Sequence, residues 1–574
     1  MNRRPWLLPL LSLFVSWALL AAAPAAADDP ARSAAPPRAA IASANAYATD
    51  AGMEILAAGG NAFDAAVAVS ATLGLVEPES SGLGGGGFML LHVAEDGRDV
   101  FVDAREVAPG AATRDMFLGP DGDVVPRASI DGARAAAIPG LPAGLDHLAE
   151  KYGRLPLSRT LAPAIRLARA GWKFGAKNHA MLGWRHELLS KSPAAAALFL
   201  RDGAIPAIGT VMRNEDYART LEAIAAGGAD AYYRGPLAKT LVDGVRAAGG
   251  LWTLDDLANY RVVERVPIRF RHRGVDVVTA PPPSSGGITL ATILNVLDGY
   301  DYPALADVDR VHLTAEAMRR AYRDRAMYLG DPAFVDVPVP LLTSREYAAG
   351  LRAGIHPRKA TPSALLPGVT DVPVRPDTTH FSIIDTEGNL AAVTQTVNLP
   401  YGNALVVAGT GFLLNNEMDD FAAKAGVPNA FGLVGDDANA IAPGKRPASS
   451  MTPTFLIGAD QVAVLGTPGG SRIPTMVLQG LLRVLAGDGA QQAVDFPRWH
   501  HQYLPDTIAY EPDAMPAALA EALRARGHVL TENDEPWGNM QMVLWRRDAG
   551  VVEAGSDSRW KGVGKGAASA TIHR

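Results

Sequence analysis

Thr378-Thr379-His380 stands directly after Asp377 and opens an alternating run, Thr-Thr-His-Phe-Ser-Ile-Ile-Asp. Alone, it is an ordinary strand start. Read with its neighbours, it looks like a point where the chain cuts itself and exposes a threonine. Competing chemistries fit less well. No Gly-x-Ser-x-Gly elbow occurs, and the chain has no cysteine, which removes thiol nucleophiles, Cys-type zinc sites and iron–sulfur clusters. Ser81-Gly82-Leu83-Gly84-Gly85-Gly86-Gly87 lacks the Lys-Ser/Thr of a phosphate loop, and a strand follows it rather than a helix. His500-His501 has no companion carboxylate at metal-ligand spacing and reads as structural, as does His380. In Gly466-Thr467-Pro468-Gly469-Gly470-Ser471-Arg472, consecutive glycines let backbone N–H groups turn toward a ligand, as an oxyanion hole requires. Without context a tight turn is the simpler reading of it. Taken singly, Arg105, the cluster Asn415 to Asp420 and Ser449-Ser450-Met451 are surface or capping features.

The elements around these residues are legible from periodicity. Thr49 to Ala58 has helical spacing and stops at Gly59-Gly60. Asn61 with Asp64 signals a new cap and a helix to about Leu75. Phe88 to Val93 reads as a strand, 140 to 260 as mainly helical, and Val308 to Leu329 as one long amphipathic helix. Residues 346–377 hold Pro362, Pro367, Pro373 and Pro376 with little periodicity and read as an exposed, mobile connector. Strand alternation then runs to Asp385, a turn falls at Thr386-Glu387-Gly388-Asn389, and alternation resumes from Leu390 to Val397. This hairpin sets Thr378 beside Thr396 and Asn398. Whether Thr378 shares their face depends on one residue of register, which a bulge at Gly388 could supply.

Composition sets the frame. The 574 residues are 48% hydrophobic and 20% charged, with a net charge of −7, a balance that suits a soluble globular protein and gives no nucleic-acid footprint. Residues 1–27 read as a secretory signal: Arg3 and Arg4, an apolar run from Trp6 to Leu20, then Ala25-Ala26-Ala27 before Asp28. The expected location is periplasmic or secreted, with no membrane segment in the mature chain.

Together the segments resemble the γ-glutamyltranspeptidase (glutathione hydrolase) family from about Ile41 to Gly566. The likeness rests on Ala-Gly-Gly-Asn-Ala-Phe-Asp-Ala-Ala-Val-Ala, Val76 to Gly87, Pro282-Pro283-Ser284-Ser285-Gly286-Gly287 and Tyr328-Leu329-Gly330-Asp331-Pro332. Asp377 to His380, Leu414 to Phe421, Arg446 to Pro453 and Thr467 to Arg472 complete it, in the family's order. The resemblance implies an α+β fold, a four-layer αββα sandwich of the N-terminal-nucleophile type. It also implies self-cleavage between Asp377 and Thr378 into a large subunit, Asp28–Asp377, and a small catalytic one, Thr378–Arg574. The freed threonine would carry a hydroxyl nucleophile and an α-amine of ordinary pKa about 7.7–8.0, a usable base near neutral pH.

By the same resemblance, Thr396 orients Thr378, and Gly469 and Gly470 stabilise the oxyanion. Arg105, Ser449 and Ser450 hold a glutamyl α-carboxylate. Asn398, Glu417 and Asp420 hold its α-ammonium. The implied substrates are glutathione and other γ-glutamyl compounds, with water, an amino acid or a peptide as acceptor. No cofactor or metal is implied. Residues Gly426 to Asp437 match the family's lid loop, with Phe431 where many bacterial members carry Tyr. The rival readings are a β-lactam side-chain acylase on the same scaffold and a non-catalytic exported binding protein.

Overall fold

The computed structural model describes residues 35–366, 378–559 and 567–569. The expected leader and Asp377 lie outside them. Two sheets carry the fold. In chain order their strands are β1 (Ala40–Ser43), β2 (Gly86–Val93), β3 (Arg98–Ala104), β4 (Val263–Arg265), β5 (Ile268–His272), β6 (Val275–Thr279) and β7 (Thr379–Ile384). They continue as β8 (Leu390–Thr396), β9 (Thr454–Ile457), β10 (Gln461–Gly466), β11 (Gln541–Arg546), β12 (Val551–Ser556) and β13 (Ala567–Ser569). The first sheet has seven strands in the order β13-β1-β7-β8-β2-β3-β4, and the second has six in the order β12-β11-β10-β9-β6-β5. All pairings within both are antiparallel.

Side-chain alternation shows why the layers stack. In β2, Met89 and Leu91 enter the core on the outer face of the first sheet, while Phe88 and Leu90 enter the core shared with the second sheet. In β8, Val393 and Ala391 go outward and Ala392 inward. Both faces are apolar, so both must be covered. Helices α1 (Ala46–Ala57) and α2 (Ala62–Val76) cover the outer face of the first sheet, with the helical stretch that follows β3. Helices α3 (Gly286–Leu297), α4 (Asp307–Tyr328) and α5 (Ile473–Leu485) belong to the core of the second. The result is the expected αββα sandwich.

Local signals hold up. Asn45 caps α1 through Tyr47 N, and Asn61 and Asp64 form a reciprocal capping box on α2. The segment from 346 differs from expectation. Arg345–Ala353 is a helix capped by Ser344. As far as Leu366 the chain after it is held, not loose: Ser363 N donates to Asp506 (2.7 Å), Thr361 N to Glu316 (3.0 Å), and Tyr503 Oη to the Leu366 carbonyl (3.0 Å), while the rest of the expected connector, 367–377, lies outside the described residues. Proline content concealed these anchors, because their partners lie far away in sequence.

Candidate active site

The hairpin β7–β8 sets the register. Ile384 pairs with Leu390 and Thr379 with Gln395. Continued by one residue, that register puts Thr378 opposite Thr396, so the two share a face. Their Oγ1 atoms are 3.2 Å apart. The turn is a three-residue loop closed by Asp385 N to Asn389 O (3.1 Å), with Gly388 at φ 92°. Behind Thr396 the glycine-rich run finds its use. A Cβ on Gly85 would stand 2.0 Å from the Thr396 carbonyl oxygen, and one on Gly84 equally near that of Leu413. Only glycine lets these backbones touch.

Thr396 Oγ1 also accepts from Asn398 N (2.8 Å). Asn398 takes the left-handed region, φ 77°, which asparagine tolerates, and its Nδ2 donates to the Asn416 carbonyl (2.9 Å). Asn415 braces the same turn, giving Nδ2 to the Gly84 and Ala137 carbonyls and accepting Glu417 N at Oδ1 (2.9 Å). Glu417–Asp420 is a single 3₁₀ turn. Residues three apart eclipse on such a turn, so Glu417 and Asp420 face one way. Both ion-pair with the Arg105 guanidinium, which leaves the end of β3 and also donates to the Pro447 and Ala448 carbonyls. Asp419 points elsewhere, accepting from Ser129 Oγ (2.7 Å) and Ala430 N (3.0 Å).

The electrostatics are those of a dry ionic cluster. Burial raises the pKa of Glu417 and Asp420, against the pull of Arg105. Burial lifts Glu106 to about 7; Arg105 opposes this from 3.7 Å, and neither carboxylate oxygen of Glu106 has a hydrogen-bond partner among the described residues. Burial also works against the charge on Arg105, but Glu417 and Asp420 outweigh it and raise its pKa.

The remaining predicted residues close the cleft. Ser449 is fixed by Ser449 N to Pro283 O (2.9 Å) and by Ser285 N to Ser449 O (2.8 Å). Ser450 Oγ is buried with no hydrogen-bond partner among the described residues. Gly469 (φ 145°) and Gly470 (φ 54°) lead into α5, so their amides lie at a helix start, where N–H groups are unpaired. Thr378, Thr396, Asn398, Arg105, Glu417, Asp420, Phe431, Ser449, Ser450 and Gly470 line one cleft of about 20 Å³. Gly469 sits just outside it. Phe431 is buried beside Tyr322, Leu399, Leu433 and Tyr503, and Asn429 Nδ2 ties the loop to Asp420 (3.3 Å). The cleft has room for about one water.

Two charged residues of the cleft region escaped the sequence reading, Glu106 and Arg325. Arg325 lies near the C-terminus of α4, where a cation normally reads as a dipole partner. Glu106 adjoins Arg105, and its adjacency was the available signal. The histidines are occupied structurally. His380 bonds Thr394 Oγ1 (2.8 Å) and Ser382 Oγ (3.1 Å), His500 bonds Thr475 and Gln502, and His501 meets Asp506 at 3.2 Å.

Two antiparallel sheets packed between helical layers define an N-terminal-nucleophile hydrolase scaffold. A model of the γ-glutamyltranspeptidase family matches residues 48–567. The glutathione hydrolase proenzyme of Escherichia coli (strain K12) is 41% identical over 525 residues, covering 90% of each chain. The acylase ACY 1 proenzyme of Pseudomonas sp. (strain SE83) is 37% identical over 518 residues, covering 88% of this chain and 90% of that one. The cephalosporin acylase structure from Bacillus halodurans superposes with a TM-score of 0.79 at 29% identity, covering 93% of this chain and 96% of the other. The chain belongs to the γ-glutamyltranspeptidase family.

Proposed function

We propose that this protein is a γ-glutamyltransferase and glutathione hydrolase whose nucleophile is Thr378. The observation that carries the reading is the pairing of Thr378 Oγ1 with Thr396 Oγ1 at 3.2 Å, in a cleft that also holds Arg105 between Glu417 and Asp420. A hydroxyl at one end and fixed charges of both signs at the other suit an acyl group that ends in an amino-acid zwitterion.

In the precursor, the Thr378 hydroxyl attacks the Asp377 carbonyl carbon, the Asp377–Thr378 amide becomes an ester, and water hydrolyses it. This leaves 28–377 and 378–574 as two subunits, and Thr378 with a free α-amine. The amine takes the hydroxyl proton as Oγ1 attacks the γ-carbonyl, then gives it to the leaving amine. Thr396 orients the hydroxyl. Gly469 and Gly470 N–H groups meet the oxyanion, where one such donor is worth ~3 kcal/mol of barrier. Arg105, Ser449 and Ser450 take the α-carboxylate, and Asn398, Glu417 and Asp420 the α-ammonium. Water, an amino acid or a peptide amine discharges the acyl-enzyme. Phe431 covers the site without offering a hydroxyl, which loosens the lid and favours hydrolysis over transfer. Residues 1–27 direct export and are removed, giving a periplasmic or secreted enzyme.

The acylase relatives favour a second reading, a β-lactam side-chain acylase. A glutaryl group lacks the ammonium for which Glu417 and Asp420 are built. Rates on γ-glutamyl and glutaryl p-nitroanilides separate the two. A higher kcat/KM for the γ-glutamyl compound supports the first reading, and the reverse order overturns it.

A further inference from the structure

The polar atoms of the cleft divide into engaged and unengaged sets. Arg105 is engaged on every arm: Nε to Pro447 O, Nη1 to Glu417, and Nη2 to Asp420 and Ala448 O. A carboxylate arriving there gains a full fork only by displacing an acid. Arg325 is the opposite case. It lines the cleft with Thr378, Ser450 and Asp420, yet makes no ion pair within 4.0 Å among the described residues, and its buried Nε has no hydrogen-bond partner there. Burial pushes its pKa down, with Asp420 near enough only to oppose this. A half-buried guanidinium whose buried Nε has no partner is costly unless a ligand completes it.

Its placement says which ligand group. On α4, Tyr322 lies three residues earlier on the same face, and its hydroxyl donates to the Ser471 carbonyl, beside Gly470. Arg325 therefore stands one turn further along, toward Ser450 and Asp420. It also lines the small cavity behind the cleft with Ser285, Thr289 and Asp324. Arg325 therefore reaches both the cleft and the space beside it. Ser450 Oγ beside it is likewise unpaired.

We propose that Arg325, together with Ser450 Oγ, forms a second seat for the carboxylate at the acyl end of the donor, and so helps set donor specificity. The inference rests on the γ-glutamyl reading. Arg105 then keeps part of its bonding to Glu417 and Asp420, which holds both acids in place for the ammonium.

The test compares wild type with Arg325→Met on three p-nitroanilides: γ-glutamyl (carboxylate and ammonium), glutaryl (carboxylate only) and 4-aminobutyryl (ammonium only). Intact mass first confirms that each protein is cut alike. The expected result is a roughly 10- to 100-fold fall in kcat/KM on the first two, the loss of one charge-assisted bonding partner. Competitive inhibition by glutarate weakens by a similar factor. Turnover of the 4-aminobutyryl compound changes less than about twofold, since it offers no carboxylate to that bond. An equal fall on all three substrates would mean that Arg325 only supports the fold, and no fall on any would remove it from the site. Unchanged hydrolysis with a raised KM for glycylglycine as acceptor would put it at the acceptor instead. Each of those results overturns the proposal. If Arg325→Met is not cut, Arg325→Lys carries the same comparison, with an intermediate loss confined to the carboxylate-bearing compounds. A wild type inactive on γ-glutamyl anilide defeats the function reading itself, separately from the Arg325 proposal.

Discussion

At the scale of single residues, the candidate site is held by backbone contacts that few sequence signals announce. Thr378 and Thr396 were named from the hairpin and the resemblance, but which faces they take was open. The answer came from the loop: three residues with Gly388 in the left-handed region make the pair sum even and set the two threonines opposite each other. Taken singly, Glu417 and Asp420 read as surface acids, and only the resemblance puts them in the site, because nothing local shows that Arg105, 312 residues away, meets Glu417 in the interior. In the proposed mechanism, Thr396→Ala removes the oxygen 3.2 Å from the nucleophile and leaves Asn398 N without its acceptor. Initial rates should show kcat falling by about 10- to 100-fold, the scale of one positioning hydrogen bond in a dry site. Thr396→Ser should retain most of the activity. Equal losses in both variants would mean that the methyl group, not the hydroxyl, is what matters.

At the scale of elements, the site depends on how β7 and β8 are pinned. Asp385 accepts four hydrogen bonds: from Ala62 N at the start of α2 (2.9 Å), Glu387 N (2.9 Å), Asn389 N (3.0 Å) and Asn389 Nδ2 (2.7 Å). One carboxylate thus caps a helix and closes the hairpin whose register aligns the threonines. Asp385→Ala should cost about 2–4 kcal/mol, a buried charged acceptor with several donors left unpaired. Thermal unfolding reads this as a lower Tm, and gel analysis as slower appearance of the two fragments. An unchanged Tm would show that the turn closes without it. Helix and strand positions here were legible, since caps and alternation are local. The anchoring of the 426–437 loop and of the stretch up to Leu366 was not. Their order comes from Asp419, Asp506 and Glu316, contacts that prolines and low periodicity give no hint of.

At the scale of the whole molecule, the proposed cut does not divide the fold. The first sheet takes β1 to β4 from before Thr378 and β7, β8 and β13 from after it, and the second is shared in the same way. The two pieces hold each other's core, so the proposed cut would leave them together. The layered architecture was legible only through the resemblance; alternation marks strands but not which sheets stack. Four buried histidines set the molecule's acid limit. Burial lowers His380, His500 and His528 to about 3 and His501 to about 4. Unfolded, each returns to about 6.5. The unfolded chain therefore binds more protons below that pH, and the stability these groups contribute is full above about 6.5 and lost as pH falls toward 3 to 4. Between pH 6.5 and 5 the cost is about 1.6 kcal/mol per histidine. Denaturant midpoints across this range should fall steadily, and a flat profile would contradict buried neutral rings. The central claim remains that Thr378 is unmasked and does the chemistry. Intact mass of the purified wild type beside Thr378→Ala tests it most directly. The account predicts two wild-type fragments, the second beginning at Thr378, and one uncut, inactive mutant chain. A single uncut wild-type chain, or a mutant cut at the same bond, would contradict it.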